Sequence, residues 1–111
     1  MGLNALTPSE WEVVRRCLHA VVEGPFICDG DFHPLIGLRR EEAAAVATRW
    51  PVLDEGEEEV NLALNNSMNC LLIWFGWQDQ DPQAGEELLR RWTGETAAEI
   101  ERIFCKWRGD A

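Results

Sequence analysis

TPSEWEVVRRCLHAVVE, residues 7–23, reads as a complete helix with both its ends marked. Thr7 is placed to cap, Pro8 suits the first helical position, and Glu10 stands where a capping box requires it. Trp11, Val14, Leu18 and Val21 then recur at helical spacing, and Gly24 with Pro25 stops the run. The same signals return along the chain. A helix over about 39–50 carries Ala43, Val46, Ala47 and Trp50 on one face and ends at Pro51. Another over 58–73 has the apolar stripe Val60, Leu64, Met68, Leu71 and Leu72. Helices over 83–92 and 96–107 follow, the last opened by Thr96 and Glu99 as a second capping box. Residues 24–34 read as an ordered loop, with a short helical turn over 34–37. Sustained period-two alternation, which a sheet would need, is not seen.

These elements predict an all-α single domain over residues 1–111, a compact bundle of about five helices. A repeat at an offset of 57 residues suggests two similar halves. Phe32, Leu35, Gly37, Glu42, Val46, Arg49 and Trp50 match Leu89, Trp92, Gly94, Glu99, Ile103, Lys106 and Trp107 in character. Each position has a physical task. The glycine allows positive φ where a helix ends. The glutamate and the basic residue complement the two ends of the next helix dipole. The tryptophan covers the end of the core. Coincidence is the alternative, because helix ends often share these residues.

Composition limits the function. Twenty acidic residues stand against ten basic ones, for a net charge of −10. Duplex binding needs clustered Lys and Arg, so neither nucleic acid nor an anionic membrane is an expected partner. No apolar run approaches the roughly 20 residues of a membrane span. With no signal-like start, the expected location is cytoplasmic. The scattered Cys17, Cys28, Cys70 and Cys105 are expected to be reduced.

No catalytic or cofactor signature is evident, so the chain is read as non-enzymatic and without a cofactor. Cys28, Asp31 and His33 are weak metal-ligand candidates in one loop, but their spacing matches no zinc or calcium pattern. Cys28 with His33, or Cys17 with His19, would be a nucleophile pair only with an orienting group that the sequence does not supply. Asn61, Asn65 and Asn69 repeat every four residues beside Asn66, a costly choice in a helix. They either bond loop backbone inside the fold or present donors and acceptors to a partner. Six tryptophans are present, and the run Ile73-Trp74-Phe75-Gly76-Trp77 is the main candidate contact surface. The acidic run Asp54–Glu59 reads as a solvated connector.

Phe32–Pro51 followed by Asn65–Asn69 resembles small bacterial helical proteins without an assigned activity. The shared pattern is an aromatic residue, a Leu-Ile-Gly-Leu turn, an Arg-Glu-Glu helix ending in Trp-Pro, and an Asn-rich helix. The resemblance covers about half the chain. It implies the helical fold and transfers no functional residue.

The expected function is therefore a protein–protein interaction or regulatory role, with Trp74, Phe75, Trp77, Asn61, Asn65 and Asn69 as contact residues. The partner is another protein or a second copy in a homodimer. An immunity or antitoxin-like protein neutralising a basic toxin is one alternative. A small-molecule or metal-binding protein is the other.

Overall fold

Helix α1, Pro8–Glu23, starts as its sequence requires. Thr7 Oγ1 accepts from the Glu10 N–H, and the Glu10 carboxylate accepts from the Thr7 N–H at 2.8 Å. The computed structural model describes residues 2–110. After a 3-10 turn at Leu3–Ala5 and α1 come α2 (Asp29–Ile36), α3 (Arg40–Thr48), α4 (Glu58–Gly76), α5 (Pro82–Thr93) and α6 (Ala97–Arg108). No strand occurs among the described residues. No described helix is long and apolar enough to cross a membrane.

Helix α3 ends at Thr48, leaving Trp50 in the turn that follows, and two other boundaries differ more from the sequence reading. The segment read as a loop with a late turn is helical from Asp29 onward, despite Gly30 and Pro34. Asp29 and Asp31 occupy the first turn, where the dipole favours acids. Phe32 and Ile36, four apart, are both buried and pin that turn to the core. Tertiary burial thus outweighs poor local propensity. Helix α4 also runs to Gly76 rather than Ile73, carrying Trp74 and Phe75 into the helix.

Helices α1 and α4 pack together at the centre. Helix α1 also packs against α3 and α5, and α4 against α6 and α2. Exchanging the first three helices for the last three maps this pattern onto itself. Burial follows the same correspondence. The seven buried residues of α4 are Val60, Ala63, Leu64, Ser67, Met68, Cys70 and Leu71. Fifty residues earlier each falls on a buried residue of α1: Glu10, Val13, Val14, Cys17, Leu18, Ala20 and Val21.

The short helices correspond at an offset of 57. Phe32 with Leu89, Ile36 with Thr93, Ala43 with Ile100 and Val46 with Ile103 are all buried pairs. Gly37 and Gly94 end α2 and α5 in the left-handed region, at φ 83° and 81°. Trp50 and Trp107 each border an open groove with the corresponding residue of a long helix, Trp11 or Asn61. The two offsets differ because α4 runs three residues past the point matching the end of α1, and α5 starts four residues early. Trp74, Phe75 and Gly76 are those additional α4 residues.

Polar anchors tie the elements together. Arg40 donates from Nη1 to the Val21 and Val22 carbonyls, from Nη2 to that of Ile27 (2.8 Å), and from Nε to Asp29 (3.0 Å). Its guanidinium also lies 4.4 Å from the Phe32 ring centroid. It therefore closes the open C-terminus of α1. Glu55 is part of the structure rather than a solvated connector residue. Its carboxylate accepts from the Leu3 N–H (2.9 Å) and from Trp107 Nε1 (2.8 Å). Glu57 pairs with Arg49 at 3.1 Å.

Candidate interaction surface

On α4 the residues Asn61, Asn65, Asn69, Ile73 and Trp77, the last being its C-cap, lie four apart and form one ridge. None of them is buried. The ridge begins polar and ends apolar, with Ile73 42% and Trp77 69% exposed. A Cβ built on the neighbouring Gly76 would meet nothing within 4 Å, so this end of the helix is open.

The candidate residues separate clearly. Trp77 is the exposed aromatic. Trp74 turns inward and packs edge-on against Phe26, with centroids 4.8 Å apart and planes at 89°. Phe75 is half-buried. Of the asparagines, Asn66 has the internal role: its Nδ2 donates to the Ile36 carbonyl at 2.7 Å, closing the end of α2. Asn65 donates to Asn66 Oδ1 at 3.0 Å. Asn61 is exposed, and Asn69 lines a groove.

That groove runs between α4 and α6 and encloses about 600 Å³. Leu72, Ile73, Phe75 and Phe104 supply its apolar walls, Glu86 and Glu101 are acidic members, and Arg108 stands at one end. Arg108 also lines a second depression with Asn61, Asn65, Trp107 and Glu55, so the two meet along the ridge.

The other candidates are placed as follows. Cys28 Sγ donates to Asp31 Oδ2 at 3.2 Å, and Cys28, Asp31 and His33 are all exposed. Among the described residues, no three His, Cys, Asp or Glu side chains gather as a metal ion would require. Cys17 is fully buried, which pushes its thiol up to about 12, whereas His19 is exposed and tilts against Trp92. The two are not presented together.

One acid is strongly perturbed. Glu10 is buried and receives Lys106 Nζ and Arg102 Nη2, each at 2.8 Å. The Lys106 hydrogen bond, with that from the Thr7 backbone, lowers it to about 2. This is a structural tie between α1 and α6.

Comparison of the chain with protein-family models, with curated proteins and with solved structures gives no match.

Proposed function

We propose that this chain is a non-enzymatic interaction protein that binds a basic protein partner on the exposed ridge of α4 and the groove beside α6. The observation that carries this reading is Trp77. It caps the α4 extension that has no counterpart in α1, and it remains 69% exposed. Closing the core does not require it, since the first half closes without such a residue. A large exposed aromatic one helical turn beyond Ile73, which lines the groove, is the feature expected at the energetic centre of an interface.

Charge favours a basic partner over a second copy. Two copies would bring together two chains of net charge −10, whereas a basic surface would meet Glu86 and Glu101 at the groove. Neutralisation of a basic toxin is one biological form of this reading. The Asn ridge supplies donors and acceptors for the polar part of the contact.

A photo-crosslinking amino acid in place of Ile73, one turn from an intact Trp77 and introduced in the cells that make the protein, tests this. The reading expects attachment to a basic protein, a yield that falls with added salt, and no attachment from the same group at position 31. Attachment only to a second copy of the chain, attachment to an acidic protein, or equal yield at both positions would refute it.

A further inference from the structure

The strongly acidic chain brings three of its arginines together at one groove. Arg15, Arg16, His19, Arg91 and Trp92 line a groove of about 500 Å³ between α1 and α5. Glu12 is the counter-charge. It pairs with both Arg15 and Arg16, the latter at 3.4 Å, and so holds the two side by side. Arg91 is exposed and forms no ion pair among the described residues. Three guanidinium groups and no carboxylate line the groove itself, in a molecule of net charge −10.

The fold does not call for this charge. At the corresponding crossing of α4 with α2 the equivalent residues are Asn65 and Asn66 for Arg15 and Arg16, Asn69 for His19, and Pro34 and Leu35 for Arg91 and Trp92. The same helix crossing closes there with neutral side chains. Arg16 has one structural contact of its own: it reaches the end of α5, where a Cβ on Gly94 would fall 2.8 Å from Nη1. That accounts for Arg16 but not for Arg15 or Arg91.

We propose that the α1–α5 groove binds a phosphate-bearing small molecule, with the phosphates held by Arg15, Arg16 and Arg91 and an attached ring set against Trp92. Guanidinium forks match phosphate oxygens in geometry and charge, and converging arginines favour a multiply charged phosphate over a single carboxylate. Trp92 already takes the His19 ring at 5.8 Å on one side and Phe26 edge-on at 6.4 Å. It is a half-buried, fixed aromatic surface at the groove wall. The site is separate from the α4 ridge and does not depend on its partner.

Titration by amide and indole NMR with inorganic pyrophosphate, ADP and adenosine tests the proposal and separates phosphate from ring recognition. Pyrophosphate and ADP at millimolar concentration are expected to shift the Trp92 indole and the Arg15, Arg16 and Arg91 signals, with ADP the tighter and adenosine inert. Arg91→Ala, whose side chain holds nothing in the fold, is expected to weaken both phosphates about tenfold with an unchanged thermal midpoint. No shift with either phosphate would overturn the proposal. Shifts located elsewhere on the protein, or affinity unchanged in Arg91→Ala, would do the same.

Discussion

Glu10 in the first turn of α1 and Lys106 in the last turn of α6 meet at 2.8 Å, and the pair joins the two ends of the chain's fold. Because the carboxylate also accepts from Arg102 and the Thr7 N–H, its ionised form is held well below the ordinary 4.5, at about 2. A lowered folded value means stability that is complete above pH 4.5 and lost as pH falls toward 2. Thermal unfolding across this range should show that decline. Glu10→Gln should lower stability by about 2 kcal/mol at neutral pH and flatten the acid limb. An acid limb unchanged in Glu10→Gln would show that other carboxylates govern it.

Arg40 is expected to be the most sensitive single basic residue. Arg40→Ala removes three carbonyl partners, the Asp29 pair and the Phe32 contact together. A loss of about 3 kcal/mol in urea unfolding is expected, with Arg40→Lys recovering only part because an ammonium lacks the fork. Equal stability of the Lys variant and the natural chain would contradict the fork's role.

Much of this fold was legible in the sequence, and the reason is local. Thr7 with Glu10, Thr96, and Gly94 announce helix ends through chemistry that acts within a few residues, although the Glu99 carboxylate pairs with Arg102 instead of completing a box with Thr96. The apolar stripes of α1 and α4 announced the core faces in the same way. What stayed hidden was set by long-range partners. Arg39 and Arg40 stand at a helix start, where positive charge is unfavourable, and nothing nearby tells that Arg40 reaches Val21, Val22 and Ile27. Glu55 read as one acid in a charged run, since Leu3 and Trp107 lie about fifty residues away on either side. Helix α2 was obscured by Gly30 and Pro34, whose local cost is offset by burying Phe32 and Ile36. Within the candidate site, composition pointed to 73–77, but only the register of α4 separates the inward Trp74 from the outward Trp77. The groove of Arg15, Arg16 and Arg91 needed two helices to be brought together.

Gly37 and Gly94 offer a test of the two-halves relationship. Both have positive φ at the end of a short helix, where an L side chain is strained. Gly37→Ala and Gly94→Ala should each cost about 1 kcal/mol. The Arg16 guanidinium near Gly94 is the far end of a flexible side chain and can move aside, so the two costs should stay close. A cost at one glycine and none at the other, by differential scanning calorimetry, would argue against equivalent roles.

Ser67 occupies the position in α4 that Cys17 holds in α1, and its hydroxyl is buried with no hydrogen-bond partner among the described residues. An unmet buried hydroxyl is costly, and alanine is the better helix former. Ser67→Ala should therefore stabilise the protein by about 1 kcal/mol. A measured loss of stability would mean that the hydroxyl is satisfied in solution.

The central claim concerns Trp77, and the decisive measurement takes two readings on one variant. Trp77→Ala should leave the thermal midpoint of the isolated protein within about a degree of its original value, since an exposed side chain contributes little to the core. The same variant should lose at least tenfold in affinity for the basic partner identified by crosslinking at position 73, as removal of an interface anchor does. A clear fall in the midpoint, or full affinity retained, would contradict the account and return Trp77 to a structural role.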